Sequence, residues 1–353
     1  MVLIALWVCL ITSLSVTAQP YIQLDNTDTI ELEDHELWFK TQAVNTPPSF
    51  LTLNRLYESA NSVTSTLGGS GAYITRINLT NNRSEQNTWF VNVHMNYLDI
   101  GTAYWLPNQG TPILLEQFGQ TQSNNPKLAH SQTFSLSLSE HESGTLWIYV
   151  KAKVFAIPAD VTIYSKTDFY SKQFYINSVT TISYTIMITL ALIAGFIYLR
   201  LKTLVTLTCA GYIGLHGLGW FAASGSLGHL FNVQSFNPVY AGFLLFPFAI
   251  AAASQFTKLL FNCQQDHIKL AKAFNVLSIV CLCVGTLIPF IPFEQSFLIT
   301  HIIAVIWIPL CIGTGIFMLR KNDFRAKYYL TGNLFYGLAL AIYVLSHAYN
   351  LDL

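Results

Sequence analysis

Six side chains with aromatic, amide or cationic groups occupy the same alternating positions of three predicted strands. They are Arg76, Asn92, His94, Trp147, Tyr149 and Lys151. Aromatic planes stack on sugar rings or apolar ligands, while amides and cations bind polar groups of the same molecules. The set predicts a binding face for a small, possibly carbohydrate-like ligand. The alternative is ordinary polar surface, because either face of a sheet can be the one turned to the core.

The sequence predicts a non-enzymatic protein with no cofactor or metal. It lacks H-E-x-x-H, G-x-x-x-x-G-K-[ST], G-x-S-x-G and paired Cys-x-x-Cys motifs. Ser70 sits in a glycine-rich stretch, but Ala72 occupies the last glycine position of a nucleophile elbow, which favours a flexible turn. None of the six cysteines lies between residues 19 and 177, so this region holds no disulfide or thiolate site.

The strands that carry the candidate face have a second, more apolar set of side chains. Alternation is clearest in Tyr73–Thr80, Trp89–Leu98 and Leu146–Lys153. The core-facing residues are expected to be Tyr73, Thr75, Ile77, Leu79, Trp89, Val91, Val93, Met95, Tyr97, Leu146, Ile148, Val150 and Ala152. We therefore predict an all-β domain, a jelly roll or β-sandwich, over residues 19–177.

Export and membrane insertion are predicted from apolar runs. Residues 2–14 are apolar and are followed by small residues ending at Ala18, which predicts a cleaved signal peptide over residues 1–18. The alternative is an uncleaved anchor, because no Lys or Arg precedes the apolar run. After residue 177 there are six runs of the ~20 residues that a spanning helix needs. They lie near 178–199, 203–224, 238–260, 273–291, 297–319 and 326–347. Residues 178–353 are thus predicted to form a transmembrane helical bundle.

The distribution of charge predicts the orientation. Lys and Arg residues occur in alternate connections of the bundle, at positions 200 and 202, at 258, 269 and 272, and at 320, 321, 325 and 327. By the positive-inside rule these connections are cytoplasmic, which puts residues 19–177 and the C-terminus outside the cytoplasm. Only 10% of all residues are charged and the net charge is zero, which excludes the basic surface of a nucleic-acid binder.

Polar and small residues within the predicted helices indicate packing rather than transport. No Asp or Glu occurs in the six runs, which removes the usual carriers of proton-coupled transport. The remaining polar groups are expected to form interhelical hydrogen bonds, with ligand binding as the alternative; they are His216, His301, His347, Gln255, Asn275 and Asn333. Gly211, Gly214 and Gly217 are expected to allow close helix packing. The segment Val161–Asn177, which lacks Gly and Pro, predicts a stiff junction whose aromatic residues anchor at the interface.

Several stretches carry a resemblance to a known family. They are Tyr73–Trp89, Phe134–Lys153, Tyr198–Gly211, Gly225–Phe231 and Gln255–Leu260. The chain resembles the bacterial seven-transmembrane receptors with diverse intracellular signalling modules, the 7TMR-DISM family, with its second type of extracellular domain. The resemblance implies a carbohydrate-binding-module-like jelly roll, a seventh helix and a cytoplasmic output module. This chain ends at Leu353 after the sixth run, so the output domain is expected to be missing from it.

The expected function follows from this arrangement. We expect a membrane sensor whose periplasmic β-domain binds a small molecule and alters the packing of the transmembrane bundle. A partner with signalling activity, in the cytoplasm or the membrane, would then carry the output. Two alternatives remain open: a non-enzymatic scaffold or binding subunit, and a component of a transporter.

Overall fold

A computed structural model of the chain gives its fold. It describes residues 21–25, 29–32, 36–121, 132–231 and 236–349. The predicted signal peptide lies outside these residues. A β-rich part ending at Tyr164 is followed directly by long helices from Lys166 onward. The predicted fold class, an all-β domain before a helical bundle, is confirmed.

Eleven described strands form two sheets. The strands are β1 (Ile22–Leu24), β2 (Thr29–Glu31), β3 (Trp38–Thr41), β4 (Asn61–Val63), β5 (Gly71–Asn81), β6 (Asn87–Val93), β7 (Ile100–Pro107), β8 (Ile113–Phe118), β9 (Gln132–Leu138), β10 (Ser143–Ala152) and β11 (Val161–Tyr164). The larger sheet has the order β4-β3-β5-β10-β7-β8, with β1 parallel to β5 at one edge. The smaller sheet has the order β2-β11-β6-β9. All pairings other than β1 with β5 are antiparallel.

The main core lies between the two sheets and contains the predicted inward set. Ile77 and Ile148 from the larger sheet and Val91 from the smaller one are fully buried there. One predicted strand is too long, because β6 ends at Val93 rather than Leu98. Met95 and Tyr97 remain buried beyond its end, as part of an irregular segment. Apolar alternation therefore continued past the point where the strand pairing stopped.

A second, smaller core covers the outer face of the larger sheet. Helix α1 (Phe50–Glu58) lies on this face, with Ser49 as N-cap, and buries Leu53 and Leu56 against it. Trp147 and Tyr149, which we expected to face a ligand, lie beneath the helix and are 3% and 0% exposed. Both faces of β10 are thus buried.

The membrane part consists of six long helices and short connecting ones. They are α2 (Lys166–Leu201), α3 (Leu204–Ala223), α4 (Ser226–Phe231), α5 (Pro238–Leu260), α6 (Cys263–Asp266), α7 (Ile268–Leu287), α8 (Phe293–Arg320) and α9 (Arg325–Tyr349), with a 3-10 turn at Ile288–Phe290. Helices α2, α3, α5, α7 and α8 are long and apolar enough to span a membrane, and α9 coincides with the sixth predicted run.

The first spanning helix begins earlier than predicted. It starts at Lys166 rather than near residue 178, capped by the Ser165 hydroxyl, so the predicted domain boundary at residue 177 lies within one continuous helix. Phe169 does not belong to an interfacial belt, because it stacks on Phe90 of the β-domain with ring centroids 4.4 Å apart. The rings of Tyr170, Phe174 and Tyr175 are exposed, as side chains at the membrane–water interface would be.

The three small residues of α3 lie at its contacts with neighbouring helices. A Cβ at Gly214 would lie 3.5 Å from Ala191 Cβ on α2, and one at Gly211 would lie 3.5 Å from Ala252 Cβ on α5. Gly217 likewise approaches Met187 on α2. A Cβ at Gly211 or Gly214 would make ordinary van der Waals contact, whereas one at Gly217 would lie 3.3 Å from Met187 Cβ, a tighter contact of the kind that small residues allow between membrane helices.

The polar side chains of the bundle form hydrogen bonds of two kinds. His216 Nε2 pairs with the Tyr336 hydroxyl across α3 and α9 at 2.9 Å, and Gln255 donates to Asn275 across α5 and α7 at 3.4 Å. His301 and Asn333 instead bond to backbone carbonyls of their own helices, so the interhelical expectation is wrong for these two. The side chain of His347 lies outside the described residues.

Candidate functional site

The six predicted binding residues do not share one face. Arg76, Trp147, Tyr149 and Lys151 lie on β5 and β10 of the larger sheet, whereas Asn92 and His94 belong to β6 and the segment after it. The prediction of one shared face is therefore wrong. The reason is the sandwich itself, which places β6 in the opposite sheet.

The four residues on the larger sheet are engaged with α1 and the segment before it. The Arg76 guanidinium carbon lies 3.9 Å from the ring centroid of Tyr57 on α1 and 5.1 Å from that of Trp147. The Tyr149 hydroxyl accepts from Val44 N at 3.1 Å, and Lys151 Nζ donates to Val44 O at 2.8 Å. Contacts within the protein thus occupy the groups that we expected to bind a ligand.

Asn92 and His94 line a cavity between the β-domain and the bundle. Its volume is about 450 Å³, within the range of small-molecule sites. The cavity is bounded by β6 and its following segment, by the connection after β10, and by α2, α3, α5 and α8. Its lining includes Asn92, His94, Asn96, Val154, Ala156, Ile157, Lys172, Gln173, Ile176, Thr180, Trp220, Ser224, Phe243, Phe293 and Phe297. Both parts of the protein therefore contribute walls.

His94 is held at the polar end of this cavity by hydroxyl groups. Its Nε2 atom is 2.8 Å from Thr162 Oγ1 and 3.4 Å from the Tyr164 hydroxyl, to which Lys172 Nζ donates at 2.8 Å. Burial, and then the positive charge of Lys172, lower the pKa of His94 to about 4. The imidazole is therefore neutral at neutral pH and acts as a hydrogen-bonding group.

Beside the cavity, a set of hydrogen bonds docks the β-domain onto the bundle. Asn237 Nδ2 donates to Tyr97 O at 2.8 Å and to Asp99 Oδ1 at 3.0 Å, and the Tyr240 hydroxyl donates to Asp99 Oδ2 at 3.1 Å. Asn96 Nδ2 donates to Ala223 O at the end of α3, at 2.9 Å. Desolvation raises the pKa of Asp99, although both hydrogen bonds oppose this shift. We call the residues joined by these hydrogen bonds the docking contact; they are Asn96, Tyr97, Asp99, Ala223, Asn237 and Tyr240.

Sequence reasoning did not identify the docking contact. Asn237 before Pro238 is a recognisable helix start, and its Oδ1 indeed accepts from Val239 N. Nothing local indicates that the same side chain also binds a loop of the β-domain. In the described part of the chain, no three His, Cys, Asp or Glu side chains are grouped so as to hold a metal ion.

Comparison with known families concerns the helical part. Residues 176–352 match the family described as 7TM diverse intracellular signalling. The chain belongs to this family. Membership makes it a multi-pass membrane protein of a signalling receptor family, and the match begins within α2, ten residues after the start of this helix. No curated protein matches the chain. The assignment of the β-domain to the second extracellular type of the 7TM diverse intracellular signalling receptors stays a prediction.

Proposed function

We propose that the protein is a receptor in which a small molecule binds between the β-domain and the helical bundle and changes how the two pack. The observation that carries this proposal is the shared cavity, whose walls come from both parts. A molecule that fills such a cavity favours the arrangement whose walls fit it. A ligand can shift an equilibrium only by its difference in affinity for the two arrangements.

Two connections would pass this change to the membrane. The docking contact joins the Tyr97–Asp99 loop to the start of α5, and β11 runs into α2 with only Ser165 between them. Movement of the β-domain relative to α5 therefore also moves the outer end of α2. A few kcal/mol of differential binding is enough for a useful switch.

The proposed orientation places the β-domain outside the cytoplasm, in the periplasm of a bacterial cell. The docking contact lies at the start of α5, whereas Lys202 and Arg325 lie at the other ends of the helices, as the positive-inside rule expects for the cytoplasmic side. The family description supports output to an intracellular signalling partner at that side. The proposal assigns no catalysis to this chain.

The carbohydrate-like character of the ligand stays a prediction. It depended on Trp147 and Tyr149 as stacking planes, and both rings lie beneath α1. The shared cavity has different chemistry, since most of its walls are aliphatic or aromatic and its polar groups are few.

A disulfide assay tests the proposed change in packing. In a cysteine-free background, Ala191→Cys with Gly214→Cys forms a reporter between α2 and α3, because the Cβ separation of 3.5 Å suits a disulfide. Ala156→Trp fills the cavity from the β-domain side. We expect this substitution to change the rate of crosslinking at least about threefold. A change of this size requires a shift of less than about 1 kcal/mol in the free-energy difference between the two arrangements.

Two controls make the assay specific. Gly211→Cys with Ala252→Cys reports on α3 and α5, which pack at the same Cβ separation of 3.5 Å, and this rate should stay unchanged. Ser135→Trp adds the same side chain at an exposed position of β9 and should affect neither reporter. Equal crosslinking of the α2–α3 reporter with and without Ala156→Trp would refute the coupling.

A further inference from the structure

The shared cavity has one polar end and one apolar end. Asn92, His94 and Lys172 belong to the β-domain or to the first turns of α2. Phe243, Phe293, Phe297 and Trp220 belong to the bundle and form the aromatic end. A molecule that fills both ends must itself have a polar and an apolar part.

The charge of the lining selects the sign of the polar part. Among the described residues that line the cavity, Lys172 carries the only charge at neutral pH, since none of them is Asp or Glu and His94 is neutral. In the part of the chain that the structure describes, Lys172 Nζ donates a hydrogen bond to the uncharged Tyr164 hydroxyl. An ammonium group on a lining without carboxylates favours an anion.

A buried acceptor at the same end lacks a partner. The Asn92 side chain is 8% exposed, and its Oδ1 atom has no hydrogen-bond partner within the described structure. Leaving a buried acceptor unpaired is costly, so this atom is suited to a hydroxyl or amide donor of a bound molecule. The polar end thus offers a cationic donor to an anionic group and, beside it, an acceptor for a hydroxyl or amide on the same head group, of which a simple carboxylate uses only the first.

The position of the cavity indicates how a ligand would reach it. Gln173, Ile176 and Thr180 of α2 line it, and on the neighbouring turns of the same helix the rings of Tyr170, Phe174 and Tyr175 are exposed. Exposed aromatic rings next to an apolar helix are typical of the membrane interface. In the proposed orientation these rings would place the cavity at the level where head groups and acyl chains meet.

We infer that this cavity binds a single-chain amphiphile with an anionic head group, its carboxylate or equivalent on Lys172 and its chain among the aromatic side chains of α3, α5 and α8. The inference rests on the proposed function, because it names the ligand class of the same cavity. A cavity of about 450 Å³ favours one acyl chain over the two of a phospholipid.

The test uses 11-(dansylamino)undecanoic acid, a fluorescent fatty acid, with the full chain in phosphatidylcholine nanodiscs. Lys172→Gln keeps a hydrogen-bonding side chain and removes the charge, so affinity for the acid should fall roughly tenfold. Affinity for the uncharged methyl ester of the probe should change less than twofold. Lys166→Gln removes an exposed charge from the same helix outside the cavity and should leave both affinities unchanged.

A second variant tests the apolar end. Thr180→Trp obstructs the cavity and should abolish saturable binding of both the acid and its ester. Equal binding of the acid by the protein and by Lys172→Gln would overturn the inference. So would full displacement of the probe in nanodiscs that contain phosphatidylglycerol, since the occupant would then be a bilayer lipid.

The two proposals can fail separately. If Ala156→Trp changes α2–α3 crosslinking while the fatty acid does not bind, the ligand class is wrong and the coupling stands. If the acid binds through Lys172 but leaves crosslinking unchanged, the ligand class is right and the proposed function is wrong.

Discussion

At the scale of single residues, the protonation state of His94 is the property of the cavity that can depend on pH. Its neutral form is favoured by burial and by Lys172, which together lower its pKa to about 4. Asp160 Oδ2, 4.0 Å from His94 Nε2, would favour the charged form, but that carboxylate is 36% exposed and its effect is screened. Protonation of His94 in the folded protein is thus disfavoured.

We expect the stability of the β-domain to fall between pH 6.5 and pH 4. In this range the unfolded chain binds a proton on His94 that the folded chain does not, so folding becomes less favourable as pH falls. Because the side chain is 30% exposed, the loss is about 1–2 kcal/mol rather than the full effect of the shift. Thermal unfolding in nanodiscs at pH 7.5 and pH 4.5 measures it. His94→Gln should show a smaller loss than the unmodified protein, and an equal loss would contradict the assignment.

Individual residues also show which parts of the candidate site could be predicted from the sequence. Asn92 and His94 were predicted as ligand-binding candidates from strand alternation, and they do line a cavity. Asn237 was not predicted, because its partners Tyr97 and Asp99 are 140 and 138 positions away in the chain. Local patterns indicate the cap of a helix but not a contact formed when two distant parts meet.

At the scale of elements, α1 determines which face of the larger sheet is accessible. Leu53 is completely buried against Trp147, Tyr149 and their neighbours. Without this helix the outer face of β10 would present its aromatic rings to water. The helix therefore completes the fold of the β-domain.

We expect Leu53→Ala to lower the free energy of unfolding of the β-domain by about 3 kcal/mol, from lost burial and the remaining cavity. Leu51→Ala on the same helix should change it by less than about 0.5 kcal/mol, since Leu51 is 74% exposed. Pulse proteolysis in urea with the full chain measures both variants. Similar values for the two would mean that α1 does not pack as described.

Elements also show why the predicted face was wrong. Period-two alternation separates two faces of a strand but does not state what covers each face. The apolar set of β10 was assigned correctly to the main core, whereas Trp147 and Tyr149 were taken as open because the covering helix lies almost 90 residues earlier in the chain. Apolar runs gave the six long helices well, since that signal is local.

At the scale of the whole molecule, the contacts with the β-domain and the basic residues lie at opposite ends of the bundle. The β-domain contacts the end of α3 and the start of α5, while Lys202, Lys321 and Arg325 lie at the opposite ends of their helices. One side of the bundle thus faces the β-domain and the other carries the basic connections.

We expect cysteine labelling to show this sidedness. In a cysteine-free background, Ser62→Cys on β4 should react with a membrane-impermeant maleimide in intact spheroplasts, because it is exposed on the β-domain. Lys321→Cys, exposed after α8, should react only after lysis. Labelling of position 321 in intact spheroplasts would reverse the proposed orientation.

The length of α2 has a geometric consequence. Its 36 residues form a rod of about 54 Å at 1.5 Å per residue, well beyond the ~30 Å of a hydrocarbon core. The start of this helix is fixed to the β-domain, where Phe169 stacks on Phe90. Leu201 at the far end lies 32 residues beyond Phe169, about 48 Å along the axis, so pivoting by 5° about that contact moves it by about 4 Å. In the proposed function, the helix acts as a lever that turns a small displacement near the cavity into a larger one at its other end, where a signalling partner would detect it.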